Sequence, residues 1–160
     1  MSRIEREFKN PRAKALHDKS MEILDLVDHL LEAAPDGGEH AELLEDQIGA
    51  MHGDSMMIPA KIAGAEGGDY YDIRMENAAI IRKCARDLIL GLRGLEMCGY
   101  NEPKYFDLLR AEIEEFRKLF LVWVDGFDRK RYYVDEWGIF NPPGVKPGDE
   151  SPEVDFDDED

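Results

Sequence analysis

The clearest helical pattern in the chain is in residues 102–127, EPKYFDLLRAEIEEFRKLFLVWVDGF. Apolar side chains recur there at alternating spacings of three and four, the pattern of a bundle helix with one buried seam. Asn101 precedes this segment and Pro103 lies in its first turn, both typical of a helix start. The predicted seam consists of Phe106, Leu109, Ile113, Phe116, Phe120, Trp123 and Phe127.

Three further segments with helical periodicity precede this one, and short runs rich in Gly and Pro separate them. Short connections place consecutive helices side by side in opposite directions. The sequence therefore predicts an all-α protein, an up-down-up-down antiparallel four-helix bundle. The predicted helices cover about residues 12–34, 39–66, 69–98 and 102–132.

The charge is strongly acidic and uneven. The 160 residues contain 36 acids and 20 bases, a formal charge of −16. Residues 149–160 hold eight acids and no base, which leaves 28 acids and 20 bases in residues 1–148. We predict one domain over 1–148 and a disordered acidic tail over 149–160. Nucleic acid and anionic membranes are disfavoured as partners because both repel acidic surfaces, whereas a basic protein could bind the tail.

The spacing of the two cysteines and the length of the apolar runs indicate the cellular compartment. Cys84 and Cys98 are 14 residues apart on one predicted helix, about 21 Å and too far for a disulfide between them. Free thiols are typical of a reducing compartment. The longest apolar run, Leu119 to Val124, is too short to span a membrane. A cytoplasmic protein is expected.

Residues 137–145, WGIFNPPGV, are aromatic but too rich in Pro and Gly for a helix. Burying Trp137, Ile139 and Phe140 would each contribute about 1.5–3 kcal/mol. We expect this segment to fold back and cover one end of the core. The alternative is an extended segment that binds a partner protein.

Motifs for metal or phosphate chemistry are scarce. No Glu-x-x-His pair occurs, although di-iron bundles require one on each of two helices. Glu42 and Glu45, with Glu66 and Asp69, resemble the acidic pairs that hold magnesium in all-helical nucleotide pyrophosphohydrolases. The second pair straddles a predicted turn, which favours a capping role for Asp69. We therefore predict no catalytic residue, no metal ligand and no cofactor.

Polar residues interrupt the apolar faces of the first three helices at one level of the predicted bundle. Ser20, Ser55 and Asn77 lie on these faces, His52 lies at an edge, and Trp123 offers an indole N–H nearby. A buried polar group must find a hydrogen-bond partner. The interpretation is a hydrogen-bonded layer that sets helix register, and the alternative is a small-ligand site formed by these five residues.

A second apolar stripe on the fourth helix consists of Leu108, Leu119 and Val122. One core seam does not use these residues, so we predict a homodimer interface there, with cover by the C-terminal segment as the alternative. Together, these features favour a non-catalytic bundle that acts through self-association or a protein partner. The alternative function is a bundle enzyme or a ligand- or metal-binding protein built around His52 and Asn77.

Overall fold

A computed structural model describes residues 8–153 of the chain. Over these residues it is all-helical, with no β-strand, which confirms the predicted fold class and is compatible with a helical bundle. A short 3-10 turn, Gly38–His40, precedes the second helix. The four helices are α1 (Pro11–Glu32), α2 (Ala41–Glu66), α3 (Tyr71–Met97) and α4 (Pro103–Asp125).

Local sequence signals explain where two of these helices begin. The Asn10 side chain accepts a hydrogen bond of 3.1 Å from the backbone N–H of Arg12 and so caps α1. Pro11 and Pro103 occupy the first positions of α1 and α4, where a proline costs no helical hydrogen bond. Both helices begin within one residue of the predicted starts, but Asn101 does not cap α4, whose N-cap position is Glu102 without a side-chain hydrogen bond.

The core draws on all four helices. Of the predicted α4 seam, six residues are buried and Phe120 is partly buried against the core. The largest side chains without solvent contact are Trp123 and Phe106. The most extensive contact between helices joins α2 to α3, and the sparsest of the four neighbouring contacts joins α3 to α4.

The end of α4 differs from the prediction. The helix stops at Asp125 with Gly126 as its cap, about two turns before the predicted end at residue 132. Phe127 lies beyond the helix yet remains buried, because the chain turns there and directs the ring back against Trp123 at a centroid distance of 4.8 Å. The predicted line of buried residues therefore extends beyond the C-terminal end of α4.

Residues 126–153 contain no helix, and they do not form the expected cover over the core. Trp137 is 91% exposed and Ile139 is 71% exposed. Of the predicted acidic tail, Ser151 accepts a hydrogen bond of 2.9 Å from the Val134 backbone. Residues 154–160, the rest of that tail, lie outside the described residues.

Candidate functional site

Ser20 and Ser55 are fully buried, as expected, but each satisfies its hydroxyl within its own helix. Ser20 donates to the His17 carbonyl at 2.6 Å, and Ser55 donates to the His52 carbonyl at 2.8 Å. This local bonding is the usual way in which a helix accommodates a buried serine. The two hydroxyl donors are therefore satisfied without a hydrogen bond between helices.

Asn77 does not lie in a buried layer, so this part of the expectation is wrong. His52, expected at the edge of its apolar face, lies at the surface. The His52 side chain is 52% exposed, and its Nδ1 lies 3.2 Å from an Asp28 carboxylate oxygen. Asn77 is half-buried and donates to the Ile73 carbonyl at 2.9 Å. The first turns of α3 turn Arg74 inward rather than Ile73, which rotates Asn77 towards the edge of the core.

Trp123 is buried as predicted, but its indole bonds to a residue outside the predicted layer. Its Nε1 donates to Glu66 at 2.8 Å, and the Asn10 side chain donates to the same carboxylate oxygen at 3.4 Å. Arg74 lies 3.5 Å from the other Glu66 oxygen and donates to the Gly68 carbonyl at 3.1 Å. We call Asn10, Glu66, Arg74 and Trp123 the end cluster.

The end cluster joins the start of α1, the end of α2, the start of α3 and the last turn of α4. Glu66 and Arg74 are only 12% and 10% exposed, and buried ions need such partners to offset lost hydration. The Arg74 guanidinium also lies 5.6 Å from the centre of the Phe127 ring. Because these polar groups bond to one another, the end cluster holds the helices together and leaves little to bind a ligand.

Sequence reasoning did not assign Glu66 or Arg74 to the core. One signal was present: Arg74 precedes Ala78 and Ile81 at spacings of four and three, so it continues their inward face. Because an arginine is almost never fully buried unless it is paired, the charge of Arg74 argued against placing it on the inward face.

The most ordered polar arrangement outside the helices is centred on Asp135. Its carboxylate accepts hydrogen bonds from the backbone N–H groups of Trp137, Ile139 and Phe140 at 2.8–2.9 Å. The Asn141 side chain accepts from the Asp135 N–H at 2.7 Å and donates to the Asp135 carbonyl at 2.9 Å. The N–H groups of Phe140, then Ile139 and Trp137, lower the pKa of Asp135, because they stabilise its charged form.

Further bonds close this region into one unit, residues 133–151, which we call the C-terminal loop. The Gly148 N–H donates to Glu136 at 3.0 Å, and the Val134 N–H donates to Ser151 at 2.9 Å. Gly148 has φ +90°, a conformation that other residues rarely adopt. The glycine therefore permits the turn that returns the chain to Glu136.

The C-terminal loop is attached to the start of α3. The Tyr71 N–H donates to the Arg131 carbonyl at 2.8 Å, and the Tyr133 N–H donates to Asp72 at 3.0 Å. The rings of Tyr70 and Tyr133 are 4.8 Å apart, and the Arg131 guanidinium lies 5.2 Å from the centre of the Tyr70 ring. These contacts fix the loop against the helices.

A cavity of about 460 Å³ lies between the C-terminal loop and α3. Four carboxylate side chains line it together with apolar side chains of the loop, including Trp137. Within residues 8–153, no lysine or arginine lines this cavity. The lining carboxylates are those of Asp72, Glu76, Asp135 and Glu136.

Comparison with protein-family models, curated proteins and solved structures finds no match to this chain. Among residues 8–153, no group of three or more His, Cys, Asp or Glu side chains could hold a metal ion. Within the same residues, no helix is long and apolar enough to cross a membrane.

The predicted interface residues on α4 differ in exposure. Leu108 and Val122 are about half exposed. Leu119 is partly buried and packs against the core, so only part of it is available to a second subunit.

Proposed function

We propose that this protein is a non-catalytic binding protein whose C-terminal loop recognises a basic segment of a partner protein. The observation that carries this proposal is Trp137, 91% exposed on a loop that is closed by internal hydrogen bonds. Tryptophan is enriched among the residues that dominate binding energy at interfaces. A loop ordered before binding loses less conformational entropy when the partner arrives.

Charge defines the class of partner. In the described part of the chain, the cavity beside Trp137 is lined by four carboxylates and no basic residue, so it attracts a lysine or arginine side chain. A cation at that position also lies near the Trp137 ring, where a cation–π contact stabilises it further. The same carboxylates repel nucleic acid and anionic lipid.

A peptide array tests this proposal with the full chain. We expect peptides that contain lysine or arginine to bind, and Trp137→Ala to weaken binding by about 2 kcal/mol or more, roughly thirtyfold in Kd. The control is Tyr105→Ala, which removes another exposed aromatic side chain away from the loop. Selection of neutral or acidic peptides, or equal binding by Trp137→Ala, would contradict the proposal.

Self-association through α4 is a second candidate, supported by the exposure of Leu108 and Val122. A homodimer through this face is compatible with partner binding at the C-terminal loop. The alternative of a ligand site or enzyme around His52 and Asn77 is less favoured. The histidine lies at the surface, and the amide bonds to its own helix.

Contacts between helices and the state of the cysteines also support a proposed bundle topology and a proposed compartment. Asn10 before α1 contacts Glu66 at the end of α2, and Asp28 late in α1 contacts His52 in the middle of α2. These pairs support opposite directions for consecutive helices and hence an up-down-up-down bundle. The free, buried Cys84 and Cys98 support a cytoplasmic location.

A further inference from the structure

A second surface lies between α3 and α4, on a different part of the molecule from the C-terminal loop. There the sparse contact between the two helices leaves a groove of about 370 Å³. We call it the arginine groove, because its floor is apolar and its rim carries three arginines. Its floor includes Ala85, Ile89, Ile113, Phe116, Phe120 and Leu121, and its rim includes Arg82, Arg86 and Arg117.

The charge of the arginine groove is opposite to that of the chain as a whole. Among the residues that the structure describes, its only acidic lining residue is Glu114, which pairs with Arg117 at 2.6 Å. Arg82 and Arg86 therefore leave the rim positive on a chain with a formal charge of −16. A second copy placed symmetrically on this groove would bring the same arginines face to face. An apolar side chain flanked by carboxylates is the complementary ligand.

The chain contains a segment with this chemistry. Residues 154–160 read VDFDDED, in which Phe156 is flanked by aspartates on both sides. We propose that this segment binds the arginine groove of the same chain. Phe156 then packs on the apolar floor, and the neighbouring carboxylates pair with Arg82 and Arg86.

The described part of the chain ends close to α3, the helix that carries Arg82 and Arg86. Ser151 is bonded to Val134, which lines the same cavity as Glu76 of α3. Arg82 is six residues beyond Glu76, about 9 Å along the helix axis. Phe156 is five residues beyond Ser151, and an extended chain of that length spans about 17 Å.

Tethering favours the segment of the same chain over a free competitor. A ligand on a short linker has an effective concentration in the millimolar range. The bound segment would therefore cover the positive groove, and any other acidic ligand would have to displace it.

A spin label tests the proposal in the full chain. Cys84 and Cys98 are buried, so a nitroxide reacts selectively with the new thiol of Glu159→Cys. We expect the label to reduce the NMR signal intensity of the Ile89 and Leu121 amides. Adding Phe156→Ala should restore these intensities, whereas adding Val154→Ala, the matched control, should not.

The salt dependence and a mixing experiment complete the test. About 1 M NaCl shortens the screening length to about 3 Å and should also restore the intensities. No loss of intensity at the groove, or a loss that Phe156→Ala leaves unchanged, would overturn the proposal. A loss that appears equally when labelled and isotope-enriched chains are separate molecules would assign the segment to a second copy and overturn binding within one chain.

Discussion

Asp135 accepts three backbone hydrogen bonds on one carboxylate, and this makes the C-terminal loop sensitive to acid. Its pKa in the folded chain is lower than in the unfolded chain, where an aspartate titrates at about 3.9. The stabilisation is therefore present above about pH 4 and is lost as the pH falls through the lowered pKa. The loop should loosen at acidic pH.

We expect Asp135→Asn to produce the same loosening at neutral pH, because an amide has one acceptor oxygen and no charge. Hydrogen exchange of the Trp137, Ile139 and Phe140 amides should become faster, while the helices keep their exchange rates. Asp149→Asn is the control, since that carboxylate accepts a bond from the Lys146 N–H and lies outside the ring around Asp135. Unchanged exchange at the three amides would contradict this account of the loop.

Glu66 is the residue on which the end cluster depends. Glu66→Ala leaves the Trp123 indole without its carboxylate partner, and it leaves the buried Arg74 with only the half-exposed Asp69 at 3.5 Å. We expect a loss of about 2–4 kcal/mol in the free energy of unfolding, measured with urea. Lys83→Ala breaks an exposed pair with Asp87 and should lower the free energy of unfolding far less, because exposed ion pairs contribute little to stability. Equal effects of the two substitutions would show that the end cluster contributes no more than a surface ion pair.

At the scale of the element, hydropathy was sufficient to find all four helices, but not the end of α4 or all of the buried faces. The seam of α4 was predictable because its aromatic residues repeat strictly. The end of α4 was not, because Phe127 is buried from outside the helix. The inward face of α3 was misjudged at Asn77, since the burial of Arg74 depends on Glu66 of another helix.

The contact between α2 and α3 gives a prediction at this scale. A Cβ at Gly91 would lie 2.7 Å from Met51 Cγ, whereas a Cβ at Gly49 would meet nothing within 4 Å. Met51 is fully buried, so it cannot move aside without disturbing the core. Gly91→Ala should destabilise the protein by about 1–2 kcal/mol, overpacking outweighing the gain in helix propensity.

Gly49→Ala is the matched control for this contact, because it makes the same change inside α2 at an open position. It should stabilise the protein by up to about 1 kcal/mol through helix propensity alone. Urea unfolding of both variants separates the two effects. A stabilising Gly91→Ala would mean that the core relaxes around the new methyl group.

At the scale of the whole molecule, composition gave the net acidic charge and led to the prediction of a basic partner, but it did not indicate where the proposed partner would bind. From hydropathy alone, Trp137 and Ile139 are expected to be buried in the core. Their exposure depends on the hydrogen bonds of Asp135 and Asn141, which have no periodic signature. Ser20 and Ser55 were predicted to belong to a polar layer between helices. Their hydroxyls bond within their own helices instead, which the spacing of polar residues did not indicate.

The last prediction concerns the assembly. If the α4 face forms the homodimer, sedimentation of the full chain at micromolar concentration should give twice the mass of 18.3 kDa. Val122→Glu should then produce a monomer with unchanged helix content, since this side chain is half exposed. Leu119→Glu should also lower the stability, because Leu119 packs on the core.

A wild-type chain that sediments as a monomer would exclude the interface. A dimer that survives Val122→Glu would move the interface to another face, because a charge at the centre of an apolar contact cannot be buried without a partner.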